Sequence, residues 1–304
     1  MIASIAVLKP DRLADWEVSA AVFGVTLITL ILARWWHTKR SPIFPEDIPT
    51  QARKTHEGAI PLVGVIPATV LIGGLIWIQE YWIASAAFVA AAIGFFDDRR
   101  KTDEPTDGFW KTKALALFGA AGLVTIGLAF NCTLVWWEYP IAFGIVFVVT
   151  NAFNFLDNQN GVLLGLIAVA GTFLAWLDPP AGFVVAGAAL AVLPFNWPKG
   201  RVFVGDCGAY SLGLSVAALS LGHTPDRWWS DEKCTPYFAV VLVPLLDFTQ
   251  VVIARLWIGI APWIGDRRHL THIVLHRGVP AALIGPIFWV VAAGLAYALY
   301  FEPR

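Results

Sequence analysis

Long runs of apolar residues constrain this chain more than any other feature, because about 20 such residues carry an α-helix across a lipid bilayer. Ten runs of this kind are spread along the 304 residues. They are too continuous for the strands of a membrane β-barrel, which alternate apolar and polar side chains. We therefore predict an all-α integral membrane protein with about ten transmembrane helices. The predicted spans lie near residues 18–36, 59–78, 82–96, 114–131, 138–153, 161–177, 181–195, 207–221, 237–257 and 279–300.

The composition agrees with this fold class and excludes several functions. Hydrophobic residues make up 58% of the chain and charged residues 14%, whereas soluble proteins carry about 25% charged residues. The 15 Trp residues suit the two membrane–water interfaces. No basic stripe indicates a nucleic-acid partner, and Cys132, Cys207 and Cys234 form neither a metal-ligand spacing nor a disulfide framework. We expect one polytopic domain over residues 1–304, without a removable signal peptide.

Lysine and arginine are divided unequally between the two sets of loops that ten spans create. Residues 37–58, 97–113, 154–160, 196–206 and 258–278 contain 14 of them, whereas the other loops and the two tails contain five. Because basic residues are retained in cytoplasmic loops, the first set is predicted to be cytoplasmic. We therefore expect a multi-pass protein of the inner (plasma) membrane with both termini outside. The polar clusters that could carry chemistry all fall on the cytoplasmic side.

Two adjacent carboxylates, Asp97 and Asp98, follow the third apolar run. Adjacent like charges raise one pKa and so keep a base available, and a carboxylate pair can also bind a metal. Lys111 and Lys113 follow closely and could neutralise phosphates. The alternative is a helix end with solvated charges.

Amide and carboxylate side chains recur after the fifth apolar run. Asn151, Asn154 and Asp157 are spaced three residues apart, so a helix end would align all three on one face. Their oxygens suit a hard cation such as Mg²⁺, and amides also read nucleobase edges. A polar network without a ligand is the alternative. Asn196 opens a short basic loop, residues 196–201, which would either clasp a phosphate or form an ordinary basic turn.

Asp206 lies between Gly205 and Gly208, where another apolar run begins. An unpaired carboxylate is costly to bury, so its presence here predicts a metal site at the end of a membrane helix. Glycine on either side would let a bulky ligand approach the backbone.

Residues 266–278 contain three histidines, His269, His272 and His276, together with three arginines. The spacing of the histidines permits a Zn²⁺ site, but the neighbouring arginines would repel a cation and suit a diphosphate instead. A basic loop that touches anionic lipid headgroups is the remaining alternative.

Together these segments resemble the polyprenyl-phosphate N-acetylhexosamine-1-phosphate transferase superfamily, glycosyltransferase family 4. The matching pieces occur in the family's order and with family-like spacing over about residues 50–280. They are residues 53–56 with Pro61 and Gly64, residues 94–98, Lys113, residues 151–161, residues 196–213, residues 244–247, Arg255, Gly259 and residues 266–272.

The resemblance implies a ten-helix membrane fold with a cytoplasmic active site. It also implies transfer of a sugar 1-phosphate from a UDP-sugar to polyprenyl phosphate, with release of UMP. Mg²⁺ is the expected cofactor, for which Mn²⁺ could substitute. The product would start a cell-envelope or surface glycan. Members of the family form dimers, so a homodimer is expected by analogy.

The resemblance further implies a role for each matching position. Asp206 and Asn154 would bind the metal and the diphosphate, and Asp97 or Asp98 would deprotonate or orient the lipid phosphate. His269 would act in catalysis by contacting phosphate or supporting the charge of the transition state. The remaining substrate-binding positions are Lys54, Lys113, Asn151, Asp157, Asn196, Arg267 and His272.

Departures from the family pattern bear on substrate and activity. Asn160 stands where bacterial members commonly have a second Asp, Thr271 interrupts the terminal histidine run, and Cys207 and Ala209 replace small hydroxyl residues. The thinner histidine run favours an N-acetylhexosamine donor over the muramoyl-pentapeptide branch. An inactive relative that binds nucleotide or lipid phosphate is the first alternative. A transporter that uses intramembrane Asp and His residues as an ion path is the second.

Overall fold

The computed structural model describes residues 15–40, 42–49, 58–100, 109–131, 134–177, 179–222 and 238–300. Eleven α-helices and two short strands lie within these ranges. The helices are α1 (Asp15–Lys39), α2 (Val65–Trp77), α3 (Tyr81–Arg100), α4 (Phe109–Asn131), α5 (Glu138–Phe155), α6 (Val162–Leu177), α7 (Pro179–Asn196), α8 (Gly205–Gly222), α9 (Leu242–Trp257), α10 (Leu270–His276) and α11 (Ala281–Tyr300). The strands are β1 (Glu46–Asp47) and β2 (Ile60–Pro61).

The apolar runs of the sequence are helical, as predicted, and each of the ten contains one helix. Within the described ranges, five helices are long and apolar enough to cross a membrane by length and composition. They are Glu17–Lys39, Tyr81–Arg100, Phe109–Phe130, Glu138–Phe155 and Ala281–Leu299. The chain is therefore an all-helical, multi-pass membrane protein, whereas the number of ten spans stays a prediction.

Several helices begin or end elsewhere than the apolar runs suggested. The predicted loop at 97–113 is partly wrong, because α3 continues to Arg100 and α4 begins at Phe109. Likewise α7 continues to Asn196, whereas residues 59–64, which were predicted to be helical, lie before α2. Polar side chains at a helix end can leave the apolar layer while the backbone remains helical, so hydropathy alone underestimates helix length.

Helix α8 is the centre of the bundle. All of its residues except Asp206 and Gly222 are buried, and α3 and α5 pack along it. Helices α6 and α7 pack against each other, with α1 against α7 and α11 against α6. Because membrane helices associate mainly through close packing, small residues are favoured where they touch. At Gly94 of α3, a Cβ would overlap the backbone of Asp206 and Cys207, so only glycine allows this approach of α3 to α8.

An extended segment connects the start of α2 to the start of α8. Strands β1 and β2 pair antiparallel, and the next residues bond to the segment before α8. Val63 N donates to Phe203 O at 2.8 Å, and Phe203 N donates to Pro61 O at 3.0 Å. These bonds fix the backbone that leads into Gly205 and Asp206.

Candidate active site

An open cavity of about 1870 Å³ lies at one end of the helix bundle. Its wall is built from the C-terminal ends of α3, α5, α7 and α9 and the N-terminal ends of α4 and α8. Examples from these ends are Arg100, Phe155, Asn196, Arg255, Trp110 and Gly205. Consecutive helices of the bundle run in opposite directions. The C-terminal end of one helix and the N-terminal end of the next therefore lie on the same side of the bundle.

Ten of the twelve residues that the sequence predicted for substrate, metal or catalysis line this cavity. They are Asp97, Lys113, Asn151, Asn154, Asp157, Asn196, Asp206, Arg267, His269 and His272. The eleventh, Asp98, is only 5% exposed and lies behind the lining. The twelfth, Lys54, falls together with His56 outside the described residues. The fold thus brings the predicted positions to one place, while their individual roles stay predictions.

Four side chains form what we call the carboxylate cluster: Asp97, Lys113, Asn154 and Asp206. Lys113 Nζ lies 2.9 Å from Asp97 Oδ2 and 3.0 Å from Asp206 Oδ2, so one ammonium bridges the carboxylates of two helices. Asn154 Nδ2 donates to Asp206 Oδ1 at 3.2 Å. The side chains of Asp97 and Asp206 are 19% and 17% exposed. Two partly desolvated carboxylates therefore converge on one cation at the cavity wall.

Asp98 has a different environment from its neighbour Asp97. Its Oδ1 accepts the backbone N–H of Asp206 at 3.0 Å, and its Oδ2 accepts that of Cys207 at 3.1 Å. Both donors belong to the first turn of α8, whose N–H groups have no partner within the helix. Asp98 is thus a helix cap supplied by α3, and it holds the backbone of Asp206 in place.

The two glycines around Asp206 have a packing role. A Cβ on Gly205, whose φ is +57°, would lie 2.6 Å from Asp98 Oδ2. A Cβ on Gly208 would lie 2.8 Å from Val204 Cβ and 3.2 Å from Gly64 Cα. These glycines therefore make room for the capping carboxylate and for the chain before α2, whereas the approach of a ligand at this point stays a prediction.

The end of α5 supplies both polar and aromatic groups to the cavity. The predicted alignment of three polar residues on one helical face is wrong, because α5 ends at Phe155 and Asp157 lies in the following turn. Asn151 Nδ2 donates to Phe147 O of its own helix at 2.8 Å. Asn154 belongs to the carboxylate cluster, and the next residue, Phe155, packs its ring edge-on against His269 at 5.9 Å between centroids.

Asn196 connects two loops of the cavity wall. Its Oδ1 accepts the backbone N–H of Gly161 at 2.6 Å, and its Nδ2 donates to Val202 O at 2.9 Å. Asn196 is 4% exposed, so these bonds replace water for both polar atoms. Asn196 therefore holds the turn after α5 against the segment that leads into α8.

A second group of side chains surrounds His269 at the same cavity. His269 Nδ1 lies 2.8 Å from Oδ2 of Asp247, a fully buried residue of α9. Oδ1 of the same carboxylate accepts the backbone N–H of Leu270 at 2.6 Å. Asp247 thus fixes both the imidazole ring and the first turn of α10.

The loop before His269 is organised around Asp266. This carboxylate accepts hydrogen bonds from Arg255 Nε at 3.2 Å and from Arg268 Nη1 at 2.6 Å, and also from the backbone N–H of Arg268 at 3.0 Å. Burial would raise the pKa of Asp266, but the bonds from Arg255 and Arg268 outweigh it and lower the pKa from 3.8 to about 2. Arg255 is 2% exposed and lies 5.1 Å from the Phe155 ring centroid. Arg255 and Arg268 are therefore engaged with Asp266.

His272 lies one turn beyond His269 and accepts a long hydrogen bond from Gln159 Nε2 to its Nδ1, at 3.4 Å. Burial lowers the pKa of His272, and the positive charges of His269, Arg267 and His276 lower it further. The intervening residue, Thr271, donates to Asn158 Oδ1 at 2.6 Å. The turn after α5 is thus hydrogen-bonded to α10 through His272 and Thr271. Thr271, which departs from the family pattern, has Asn158 as its partner.

The donor set of the carboxylate cluster fits Mg²⁺ better than Zn²⁺. Mg²⁺ takes oxygen ligands and is commonly held by one or two carboxylates, with water and substrate phosphates completing its coordination. Asp97 and Asp206 supply such oxygens, and these already converge on a single positive charge. Among the residues that the structure describes, no three His, Cys, Asp or Glu side chains could hold a metal ion together. A Zn²⁺ site at the three histidines is therefore not supported.

Two buried charged residues received no specific role from the sequence, although both belong to family-like segments. Asp247 and Arg255 lie in the apolar helix α9 and bind the segment at 266–270. A charged residue within an apolar run is the signal that could have identified them, because such residues are rarely retained without a partner. Their partners lie 11 to 23 residues away in sequence, so a local sequence pattern could not have identified the pairs.

Comparisons with known proteins relate the chain to one family of enzymes. Residues 81–223 match the family model "Glycosyl transferase family 4". The undecaprenyl-phosphate alpha-N-acetylglucosaminyl 1-phosphate transferase of Escherichia coli K12 is 27% identical, over 80% of this chain and 73% of its own. The phospho-N-acetylmuramoyl-pentapeptide-transferase of Synechococcus sp. WH7803 is 28% identical, over 98% and 91%. The decaprenyl-phosphate N-acetylglucosaminephosphotransferase of Mycobacterium tuberculosis CDC 1551 is 26% identical, over 81% and 70%.

Proposed function

Because this chain is a member of the polyprenyl-phosphate N-acetylhexosamine-1-phosphate transferase superfamily, we propose that it transfers N-acetylhexosamine 1-phosphate from a UDP-sugar to polyprenyl phosphate. The products are a polyprenyl-diphosphate-sugar and UMP. This reaction is the first membrane step of a cell-envelope or surface glycan.

One observation carries the proposal: Asp97 and Asp206, from two helices, converge on a single cation at the wall of a cavity that also contains Arg267, His269 and His272. Diphosphates are recognised by such combinations of a metal-binding carboxylate pair and cationic donors. The cavity lies at helix ends, where a soluble nucleotide and a lipid phosphate can meet while the lipid tail stays in the bilayer.

In the proposed reaction, a phosphate oxygen of the polyprenyl phosphate attacks the sugar-bearing phosphorus of the UDP-sugar. The new P–O bond forms as the bond from that phosphorus to the bridging oxygen breaks, and UMP leaves with the electron pair. Such transfers require positioning and charge neutralisation more than covalent chemistry by the protein. Fixed groups in a partly desolvated cavity supply both.

We propose that Asp206, Asn154 and Asp97 hold Mg²⁺, with Mn²⁺ as a substitute. Bound there, the cation would neutralise and orient the diphosphate. Asp97 also orients or deprotonates the lipid phosphate, while Lys113, which lies between the two carboxylates, reaches the same phosphates. Asn151 and Asp157, which line the cavity, contact the substrate in this proposal, and Asn196 keeps the neighbouring loops in position.

On the other wall, Arg267, His269 and His272 contact phosphate oxygens. Arg268 and Arg255 have a supporting role instead, because Asp266 holds both. Asp98 acts through the backbone of Asp206, which it caps, so we assign it as a positioning residue. Lys54 remains a proposed substrate contact from the family resemblance alone.

The donor sugar and the orientation belong to the proposal as well. The relatives include transferases for N-acetylglucosamine phosphate and for phospho-N-acetylmuramoyl-pentapeptide, so their names alone support either donor. The thinner histidine run favours the N-acetylhexosamine donor. We also propose that the protein crosses the plasma membrane ten times, with the cavity on the cytoplasmic side and both termini outside. We propose that it forms a homodimer.

UMP release in detergent, with polyprenyl phosphate and a panel of UDP-sugars, tests the reaction. UDP-N-acetylhexosamines should give UMP with the wild-type protein, and Asp206→Asn or Asp97→Asn should lower the rate by at least about 100-fold. Glu138→Gln is the matched control, because this buried carboxylate accepts a backbone N–H at the other end of α5. Absence of UMP with every donor tested, from folded protein, would refute the proposal and favour an inactive relative.

Cysteine labelling tests the proposed orientation of the protein in the membrane. In a background without native cysteines, Lys199→Cys lies on the cavity side and Glu80→Cys lies in the turn between α2 and α3. A membrane-impermeant maleimide should label Lys199→Cys only in inverted vesicles and Glu80→Cys only in right-side-out vesicles. The opposite pattern would overturn the cytoplasmic placement.

A further inference from the structure

The contact between Asp247 and His269 joins a fully buried carboxylate to a residue of the cavity wall. Asp247 belongs to α9 and is 0% exposed, whereas His269, 5% exposed, lines the cavity immediately before α10. Each oxygen of Asp247 has one partner: Oδ2 lies 2.8 Å from His269 Nδ1, and Oδ1 accepts the backbone N–H of Leu270 at 2.6 Å. A buried carboxylate needs such partners, because an unpaired one is strongly destabilising.

This geometry determines which ring nitrogen carries the proton. A carboxylate only accepts hydrogen bonds, so the bond requires a proton on His269 Nδ1. The neutral imidazole then has its lone pair on Nε2, and protonation of the ring adds a proton at Nε2 alone. Among the residues that the structure describes, His269 forms hydrogen bonds only through Nδ1 and the backbone. Nε2 is the ring nitrogen that Asp247 does not contact, and His269 is a residue of the cavity wall.

The ring is also held in orientation from a second side. Phe155 packs edge-on against it, at 78° between the planes, and Arg255 lies on the face of Phe155. His269 therefore cannot exchange its two nitrogens without breaking the bond to Asp247 and moving against Phe155.

We infer that Asp247 is a positioning residue for the reaction, which confines proton exchange of His269 to Nε2 and directs that atom at a phosphate oxygen of the substrates. The inference rests on the proposed function for the identity of the ligand. The tautomer that it assigns to His269 holds independently of any substrate.

Asp247→Asn separates positioning from folding. The carboxamide Oδ1 can still accept the Leu270 N–H, so α10 keeps its first-turn partner. The carboxamide Nδ2, however, is a donor and would face His269 Nδ1, which must then be the unprotonated nitrogen. The substitution should therefore keep the fold and reverse the tautomer.

The direct test is ¹⁵N NMR of ¹⁵N-histidine-labelled protein in lipid, at a pH where imidazole is neutral. His269 is assigned from the signals that disappear in His269→Gln. In the wild type, Nδ1 should resonate as a protonated nitrogen and Nε2 as an unprotonated one, and Asp247→Asn should exchange the two. An unchanged pattern in Asp247→Asn, or a wild-type ring protonated on Nε2, would overturn the inference whether or not the protein is a transferase.

Kinetics provides the second test. Asp247→Asn should lower kcat for UMP release by about 100-fold, as expected for a misplaced acid–base group, with the KM for the UDP-sugar nearly unchanged. In a His269→Gln background the same substitution should have no further effect on kcat. An equal loss in both backgrounds would indicate a purely structural role. Glu138→Gln, a buried carboxylate whose Oε2 accepts the backbone N–H of Val135 at 2.8 Å, should leave kcat unchanged.

Discussion

The side chain of Asp98 accepts the backbone N–H of Asp206 at 3.0 Å, so a carboxylate at the end of α3 caps the N-terminus of α8. A second bond, from the N–H of Cys207 at 3.1 Å, uses the other carboxylate oxygen. Asp97, the preceding residue, instead binds Lys113 at the cavity wall. Successive residues of a helix point about 100° apart, so two adjacent carboxylates have two different tasks.

Asp98→Ala should therefore destabilise the protein, whereas Asp97→Asn should chiefly lower activity. Loss of a helix cap costs about 0.5–2 kcal/mol, and here it also leaves N–H groups of α8 without their acceptor. Thermal unfolding followed by tryptophan fluorescence in detergent measures the first effect, and UMP release measures the second. Equal melting temperatures for Asp98→Ala and the wild type would contradict the capping role.

Lys113→Met should make the protein depend on a divalent cation for stability. The substitution leaves Asp97 and Asp206 facing each other without the ammonium between them, so their repulsion lowers the free energy of unfolding. Mg²⁺ should then raise the melting temperature of Lys113→Met more than that of the wild type, because it can occupy the same place between the carboxylates. The comparison is made against KCl at equal ionic strength.

The double variant Lys113→Met with Asp206→Asn provides the control, since only one carboxylate of the pair remains. Its melting temperature should respond to Mg²⁺ no more than to KCl. A Mg²⁺ response that persists at full size in the double variant would place the cation site elsewhere.

Gly94→Ala should displace α8 from α3 and lower both stability and activity. A Cβ at this position would lie 2.5 Å from the Asp206 carbonyl oxygen and from the Cys207 nitrogen, and backbone atoms cannot move aside as a flexible side chain can. Gly122→Ala in α4 is the matched control, because a Cβ there meets nothing within 4 Å. We expect the control to be neutral or stabilised by up to about 1 kcal/mol, since alanine favours the helix. Melting temperatures and UMP release distinguish the two variants.

Arg267→Gln should raise the pKa of His272 toward its ordinary value. Burial and the positive charges of His269, Arg267 and His276 lower this pKa, so removing one charge reverses part of the shift. An ¹⁵N NMR titration of the histidines measures it. Arg268→Gln is the neighbouring control: Arg268 is bound to Asp266 and should affect the pKa of His272 less. A larger shift from Arg268→Gln would contradict this arrangement.

The imidazole of His272 also contributes to the pH dependence of the free energy of unfolding. An unfolded imidazole titrates near 6.5, and His272 in the fold titrates lower, so the unfolded state binds more protons between the two values. The free energy of unfolding should therefore decrease as the pH falls below about 6.5.

Asp266 contributes at lower pH. Because its pKa is about 2, its stabilising bonds to Arg255 and Arg268 are lost as the pH falls from about 4 toward 2.

Hydropathy predicted the helices well, because an apolar run of about 20 residues has few alternatives to a membrane helix. It predicted their ends poorly. Asp97, Lys113 and Asn196 were assigned to loops, yet each lies within a helix, since polar residues at the membrane surface leave no apolar signal while the backbone bonds continue. The segment at 266–278 also contains the short helix α10, which was not predicted.

Most of the candidate site could likewise be predicted as a set of residues. Charged and amide side chains beside apolar runs are few, and the resemblance to a family connected them. Their separate tasks could not be predicted in the same way. The three-residue spacing from Asn151 to Asp157 suggested one helical face, but α5 ends before Asp157, which reaches the same cavity from the following turn.

The amino-acid sequence by itself determined that this chain is a helical membrane protein and which polar residues gather on one side of it. These properties follow from local composition, because hydrophobic length and basic loops act on each segment separately. Only the tertiary structure decided that Asp98 caps a helix while Asp97 faces the cavity, and that Asp247 binds His269. Those relationships depend on helix rotation and on contacts between distant segments, which packing determines and no local pattern records.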